Sequence, residues 1–596
     1  MSFYPTDVMY RGRLASVIVC GVLLFLLSAF FNTQVLKNQQ LLSQSEENRL
    51  RQIPLPAPRG IIYDRNGKLI ADNVVGYSVA VLPQSEDSLR AIMKRLRGTI
   101  QMTDRQFEQA IIRYRKDRVR PTVILPDASF DVISTLEERR FELPNLIIQS
   151  APKRIYPAGT AVGAFVGYIG EISEGELARN SDEGYKPGQQ IGKQGLEKQY
   201  EKQLRGREGT QFVEVDSRNR VVPGRKHDDV PPIGGTSLKT NIDLDLQTFT
   251  EGLFGDTLSG SAVAMDPKTG AVLAIYSSPG VDPNRWVGGI PTSYYDSLRN
   301  DPRRPLFNKA LQGTYPPGST WKLATAVVGL TDNLVTFADK MPQSCGGYFY
   351  FGNRAWRCWR KEGHGRLALT EAIAQSCDVY FYQLGLRVGL SRLVAGGLKL
   401  GFRSKSGIDL PEEYRPLFPD RVPEYFNQKY TPRGWTPQSV ELNMSIGQGE
   451  NAQTVLNMAR FYSALATNGL APTPRVAMQA KPDTTRVFQL PPDQFEQLRK
   501  ALVGVVSGGT ASASAIKGVE MAGKTGTAQS NRFVNGKELN HAWFVGYAPA
   551  NDPKIVVAIM LEYVPFHGSV TAHMASAIIS RFLHVVAVSG IQTEGN

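Results

Sequence analysis

The sequence predicts a multidomain chain: one N-terminal transmembrane helix, an α+β segment with a helical insertion, and a C-terminal α/β domain in which helices flank an antiparallel sheet. Three observations lead there. At 596 residues the chain exceeds what one hydrophobic core organises. Leu14–Phe31 is an uncharged apolar run of 18 residues. The breaker-rich stretch Pro231-Pro232 and Gly234-Gly235 then separates a charged first half from a region that opens on an apolar hairpin.

Composition is that of an ordinary globular protein, with 21% charged and 42% hydrophobic residues. The net charge of +13 suits nucleic acid, acidic lipid head groups or an anionic cell-wall polymer. No nucleic-acid-binding motif accompanies that charge, and the membrane topology argues against a nucleic-acid partner.

Residues 1–13 read as a cytoplasmic tail and 14–35 as the anchor. Arg11 and Arg13 precede the apolar run, which puts the N-terminus inside by the positive-inside rule and everything after about residue 36 outside. Phe30, Phe31 and Asn32 follow the run where a cleaved signal peptide would carry small residues. Val35–Gln52 has leucines at helical intervals and predicts a juxtamembrane helix. Asn66-Gly67 between Ile61-Ile62-Tyr63 and Leu69-Ile70 is a hairpin signal. Residues 84–150 read as mostly helical, with charges such as Glu137 to Arg140 forming a solvated face. A polar linker follows at Arg225–Gly235.

The second domain spans 233–590, leaving a short tail at 591–596. Ser261–Asp266 and Ala271–Ser277, joined by Pro267-Lys268-Thr269-Gly270, predict the hairpin that starts its sheet. Helices are expected at 319–330, 369–387, 452–467 and 569–588, with strands near 520–529 and 541–562.

Three Ser-x-x-Lys matches occur, and ordinary abundances give roughly two or three by chance in a chain this long. Ser150-Ala-Pro-Lys153 carries a proline inside the spacing, and Ser514-Ala-Ile-Lys517 has no turn before it to aim the serine. Ser319-Thr-Trp-Lys322 differs. Two prolines and a glycine precede it, an apolar helical run follows, and Lys322 lies close to one turn from Ser319. An amine next to a hydroxyl can take its proton when burial or a second cation lowers the amine's pKa. Ser376-Cys377-Asp378 and Lys524-Thr525-Gly526-Thr527 come later, in that order.

This set of Ser-x-x-Lys, Ser-x-Asp and Lys-Thr-Gly resembles the penicilloyl-serine transferases. The stretches Gly363–Ile373, Ser445–Gly449, Gly523–Gln529 and His541–Pro549 are similar to elongation-type class B penicillin-binding proteins over nearly the whole chain. The resemblance implies a pedestal (dimerisation-type) domain at 36–232 with an inserted head at about 84–150, carrying Pro58–Gly67, Arg154–Pro157 and Gly192–Gly206. It implies a transpeptidase domain at 233–590. Ser319 is then the nucleophile and Lys322 the acylation base. Ser376 and Asp378 hold Lys322 and the substrate, and Ser376 relays a proton to the leaving amine. The backbone N–H groups of Ser319 and Thr527 form the oxyanion hole. Lys524 and Thr525 take the substrate carboxylate, and side-chain-free Gly526 lets the peptide lie flat. Asp378 departs from the family's commoner Asn.

The implied activity is peptidoglycan D,D-transpeptidation of stem peptides during cell elongation, blocked by β-lactams. The implied place is the bacterial inner membrane, single-pass, with the catalytic domain on the periplasmic side. Implied partners are a membrane glycosyltransferase of the shape, elongation, division and sporulation type and other elongation-complex proteins. Alternatives are an anchored β-lactam sensor or β-lactamase, a division-type transpeptidase, or a scaffold activating the glycosyltransferase.

Catalysis calls for no cofactor, but cysteine arithmetic raises a structural metal. Cys345, Cys358, His364 and Cys377 supply three thiols and one imidazole, a tetrahedral zinc set, in a stretch with little periodicity that needs a staple. A Cys345–Cys358 disulfide, with Cys377 left as a free thiol, is the competing reading in an oxidising compartment.

Overall fold

The computed structural model describes residues 5–39, 50–82, 85–100, 102–118, 120–143, 145–216 and 228–585. An α-helix at Pro5–Phe31 continues into a π-helical turn at Asn32–Leu36. Within it, Met9–Leu36 reaches a mean hydropathy of 2.7 and none of it is buried against the rest of the protein. At 1.5 Å per residue those 28 residues span about 42 Å, more than the ~30 Å of a bilayer's hydrocarbon.

The expected helix over Val35–Gln52 does not reach its end. Residues 40–49 lie outside the described residues, and Leu50–Leu55 is a strand antiparallel to Gly209–Glu214. The physical reason is Pro54 and Pro56: a proline removes a helix donor and pushes the residue before it into extended backbone.

The Asn66-Gly67 hairpin forms as expected, between Ile62–Tyr63 and the long strand Leu69–Val81. That long strand pairs in turn with Thr122–Leu125 and Leu146–Ile155. Ser150 and Lys153 fall on the last of these, extended and far from helical geometry, so they cannot share a helix face. The inserted head is helical at Glu86–Ile100, Asp104–Lys116 and Phe130–Glu138. It has a core of its own around Leu89, Met93, Ile111 and Leu136.

Residues 217–227 of the segment leading to the second domain lie outside the described residues. The part expected to be a linker is pinned rather than free, because Val230 and Thr210 exchange two backbone hydrogen bonds of 2.8 Å. Leu238–Lys239 then adds in parallel to Ile62–Tyr63.

The second domain is built on five antiparallel strands: β1 (Gly260–Met265), β2 (Val272–Ser278), β3 (Ala522–Val534), β4 (Lys537–Ala548) and β5 (Ile555–Val564). Their order is β2-β1-β5-β4-β3, so β3 is an edge. Every residue of β1 and β2 is buried. Continuous apolar runs result because helices cover both faces, with Ser569–Leu583 on one and Val455–Ala466 on the other. The last helix stops at Leu583, short of the expected 588, where His584 adopts φ 55°. Residues 586–596, including the expected tail, lie outside the described residues.

The two halves share one continuous core. Ile62, Tyr156, Phe165 and Leu196 from the first belong to the same buried cluster as Val263, Leu273 and Ile559 from the second. Beside it lies a buried ion cluster. Glu197 accepts from Arg59 Nε at 2.5 Å and from Arg154 Nε at 2.7 Å, and Glu201 accepts from Arg59 Nη2 at 2.5 Å. Burial alone would raise the Glu197 carboxyl, but Arg59 and Arg154 outweigh it and hold the carboxyl below its ordinary range. A depressed carboxyl stabilises the fold above its unfolded pKa and stops doing so as pH falls through the folded value. Glu197→Ala leaves buried Arg154 without its carboxylate and Arg59 with Glu201 alone, and the expected loss is about 3–5 kcal/mol at neutral pH in denaturant unfolding. A loss below about 1 kcal/mol would show that the cluster is not holding the first half together.

Candidate active site

The nucleophile candidate sits on a short 3-10 turn, Gly318–Trp321, that feeds α1 (Lys322–Thr331). The sequence placed Ser319 at or just inside a helix start, and the start is this one tight turn. Proline at 316 and 317 stiffens the approach, and the turn is clamped from three sides. Gly318 N donates to Gly447 O at 3.0 Å, Trp543 Nε1 donates to Pro316 O at 3.0 Å, and Tyr462 Oη donates to Thr320 O at 2.9 Å. Ser319 itself is half-buried.

Lys322 is fully buried. Its ammonium donates to Asp378 Oδ1 at 2.7 Å, to Ser376 O at 2.8 Å and to Ser376 Oγ at 3.2 Å. Among the described residues no hydrogen bond joins Ser319 Oγ to Lys322. Lys322 follows Ser319 by three residues, close to one turn, and its donors go to the middle motif. Hydrogen bonds of this kind commonly tighten only with substrate in place.

The middle motif departs from the expected continuous helix over 369–387. Two helices form instead, α2 (Leu369–Ala374) and α3 (Asp378–Val388), separated by Ser376 at φ 55°. The left-handed residue reverses the chain and brings the Ser376 carbonyl and hydroxyl together onto Lys322. Asp378 begins α3, where unpaired N–H groups favour a carboxylate. Its second oxygen accepts from Trp359 N at 2.9 Å.

The third motif lies on edge strand β3. Lys524 is fully buried and donates to Thr525 O at 3.1 Å. Burial first, then the charge of Lys322, pushes its ammonium well below the ordinary lysine range, against a smaller opposing pull from Asp378. Among the described residues Lys524 forms no ion pair with a carboxylate. Thr525 Oγ1 pairs with Thr510 Oγ1 at 2.6 Å. The fold gives Gly526 a further reason to lack a side chain. A Cβ there would stand 2.9 Å from Pro317 O and 3.0 Å from Thr320 Cγ2, so its bareness lets the nucleophile turn close onto β3. The same contact holds from the other side, since a Cβ on Gly318 would meet Thr527 O at 2.6 Å. The backbones of Ser319 and Thr527 are thereby adjacent.

The four candidate metal ligands converge. One donor atom from each of Cys345, Cys358, His364 and Cys377 lies within 4.8 Å of all the others. His364 Nδ1 is 3.5 Å from both Cys345 Sγ and Cys358 Sγ. Bonds of about 2.3 Å to sulfur and 2.0–2.1 Å to nitrogen at a tetrahedral angle place S and N about 3.5 Å apart, so the donor set fits zinc. All three sulfurs are free thiols. The Cys377 thiol, bonded to Cys358, pulls the Cys358 thiol below its ordinary range. The loop between Cys345 and Cys358 is not wholly irregular: Tyr348–Phe351 and Arg354–Arg357 form a small hairpin.

Ser514 is buried on a 3-10 turn, and among the described residues its hydroxyl has no hydrogen-bond partner. Residue-by-residue reading gave no role to Gly447, Trp543 or Trp359. Gly447 and Trp543 fall in the stretches Ser445–Gly449 and His541–Pro549, whose likeness to the family was the available signal. For Trp359 the signal was its position directly after Cys358.

The sequence and fold also compare with known proteins. The family model of the penicillin binding protein transpeptidase domain matches residues 260–580, and that of the penicillin-binding protein dimerisation domain matches residues 54–240. Peptidoglycan D,D-transpeptidase MrdA of Acinetobacter baumannii is 33% identical over 607 residues, covering 96% of this chain and 88% of that protein. Penicillin-binding protein PBP2 in its solved complex with MreC from Helicobacter pylori superposes with a TM-score of 0.78 at 26% identity, covering 90% of this chain and 99% of that one. A chain of a peptidoglycan synthase complex, solved for the coordination of polymerization and crosslinking, gives a TM-score of 0.70 at 28% identity, covering 98% and 100%.

Proposed function

The chain belongs to the penicillin-binding protein transpeptidases, and from that premise we propose that it is a peptidoglycan D,D-transpeptidase of cell elongation acting through an acyl-enzyme on Ser319. One observation carries the residue assignment. Three motifs far apart in sequence meet at a single buried amine, Lys322, which bonds Ser376 and Asp378 while β3 closes against the turn that holds Ser319.

In this reading Lys322 first passes one proton to Asp378 along their 2.7 Å hydrogen bond; Ser319 Oγ then attacks the carbonyl carbon between the two terminal D-alanines, and the neutral Lys322 amine takes the hydroxyl proton. The carbonyl oxygen becomes an oxyanion held by the N–H groups of Ser319 and Thr527. As the C–N bond breaks, Ser376 passes a proton to the departing amine and D-Ala leaves. An amine of a neighbouring strand then attacks the ester, gives up a proton through the same groups, and regenerates Ser319. Lys524 and Thr525 bind the substrate's terminal carboxylate, and that carboxylate supplies the counter-charge that favours the ammonium form of the buried Lys524. A β-lactam follows the first half only: its ring C–N bond opens and the acyl group stays on Ser319.

Zinc at Cys345, Cys358, His364 and Cys377 is the second part of the proposal, with a structural role. Bound there, zinc cross-links the loop to the residue before Asp378. Trp359, next to one ligand, donates to Asp378, and Cys377 is another ligand, so the cluster flanks the carboxylate that holds Lys322 on both sides.

The apolar N-terminal helix supports a single-pass anchor in the inner membrane with the remainder periplasmic. Likeness to PBP2 solved with MreC and to a chain of a peptidoglycan synthase complex supports elongation-complex partners, among them a membrane glycosyltransferase of the shape, elongation, division and sporulation type.

Labelled penicillin followed by peptide mapping is expected to mark Ser319, with the mark lost in Ser319→Ala; a mark on Ser514 or Ser150 would overturn the assignment. Lys322→Ala is expected to slow acylation by about 10²–10⁴-fold. Equal rates in stopped-flow acylation would remove Lys322 as the base. Lys524→Ala is expected to weaken recognition of the substrate carboxylate as well as slowing acylation.

Purified protein is expected to carry near-stoichiometric zinc by elemental analysis, and Cys358→Ser or His364→Ala to lose both thermal stability and penicillin acylation. Metal-free protein with one disulfide in its mass spectrum would refute the zinc site.

A further inference from the structure

Where the first half meets the second, a cleft of about 540 Å³ opens between residues 163–195 on one side and residues 277–312 with Glu412 on the other. That volume is in the range of ~300–1,000 Å³ usual for small-ligand sites. The transpeptidation chemistry makes no use of it.

Its walls are of two kinds. One is aromatic: Tyr168 and Trp286 stack with ring centroids 4.3 Å apart, and Tyr295 meets Trp286 edge-on at 6.2 Å. None of the three is buried. The other is polar and uncharged. Among the described residues the hydroxyls of Tyr168 and Tyr295 and the side-chain amide of Gln194 have no hydrogen-bond partner. Gln312 uses only its oxygen, which accepts from Asn308 N at 3.0 Å. Four polar groups therefore face a cleft beside flat apolar rings with their bonding capacity unspent.

Charge narrows the ligand. The one ionisable acid in the lining is Glu412, and no lysine or arginine lines the cleft. An anion would find repulsion there. A cation would find an anion already engaged, since both Glu412 oxygens lie within 3.3 Å of Gly195 N and burial raises its carboxyl. A neutral ligand with apolar faces and a polar rim remains. Sugar rings have that anatomy, with C–H faces for aromatic rings and equatorial hydroxyl and acetamido groups for amides and phenols.

We propose that this cleft binds the glycan strand of peptidoglycan, through β-linked N-acetylated sugars seated on Trp286 and hydrogen-bonded by Gln194 and Gln312. The proposal rests on the transpeptidase reading, which supplies a glycan-borne substrate. Its value to that reaction is proximity. Gln312 stands seven residues before Ser319, at most about 25 Å of chain, so a strand held here keeps its stem peptides at high local concentration around the nucleophile. The cleft is also formed where the two halves share a core, so it is present without closure of a lid.

Chitotetraose is the probe, because it is neutral and carries no stem peptide. Titrated calorimetrically into the full chain in detergent, it is expected to bind saturably, and Trp286→Ala and Gln312→Ala are each expected to weaken binding about tenfold or more. Penicillin labelling of Ser319 in the same preparations shows that each variant is folded. If Trp286→Ala fails that check, Gln312→Ala and Tyr295→Ala carry the test. No saturable binding, or equal affinity in folded variants, overturns the glycan site. Loss of the Ser319 label in the wild type instead overturns the transpeptidase reading, so the two failures are distinguishable.

Discussion

A fully buried ammonium governs the architecture of this site. Lys322 has no contact with solvent, and an unpaired charge in that position would be too costly for the fold to hold. Asp378 is its counter-ion at 2.7 Å, and the pair is worth having only if the remaining lone pairs and protons are also satisfied. They are. The ammonium's other donors go to Ser376, whose left-handed backbone presents carbonyl and hydroxyl together, and the carboxylate's other oxygen takes the Trp359 amide. The break between α2 and α3, the folding of residues 345–365 against them and the middle motif's spacing all follow from the need to surround one charge.

A second constraint is distance between backbones. Gly318, Gly447 and Gly526 come from three separate segments, and a Cβ on any of them would stand 2.2–2.9 Å from backbone atoms of another. Gly318 and Gly447 also adopt positive φ, which an L side chain resists. The Gly318–Trp321 turn is thus held by backbone contact and hydrogen bonds rather than by side-chain packing alone. That kind of support fixes a catalytic group more tightly than rotamers can.

The sequence made much of this legible and left a specific remainder hidden. Ser319, Lys322, Ser376, Asp378 and Lys524 were identifiable as candidates because the family's motifs are short and come in a fixed order, and the apolar N-terminal helix and the hairpin starting at Ser261 were identifiable from apolar runs and the turn residues between them. The left-handed break at Ser376 was hidden inside an apparent helical run because a positive φ at a serine leaves no mark in hydrophobic spacing. The strand at Leu50–Leu55 was hidden because its partner, Gly209–Glu214, is distant in sequence, although Pro54 and Pro56 already argued against a helix there. Gly526 was readable as a glycine that something approaches closely; that the approaching group is Pro317 is a long-range fact. The four metal-ligand candidates were countable, and their convergence within 4.8 Å was not.

The residue that looked most anomalous in the motif reading is explained by its surroundings. The family more commonly carries Asn where this chain has Asp378, and an amide offers one acceptor and one donor. Here both oxygens receive protons, one from the Lys322 ammonium and the other from the Trp359 backbone. An asparagine in the same pose would turn its own N–H toward one of those donors, leaving either Lys322 or the loop amide opposed. Trp359 is fixed next to Cys358, and Cys377 is fixed next to position 378, so neither the loop nor the start of α3 is free to rotate the clash away. The carboxylate is therefore the form of this motif that fits a middle segment tied to a cysteine-histidine cluster on both sides, and the departure from the commoner motif and the presence of the cluster are one structural fact.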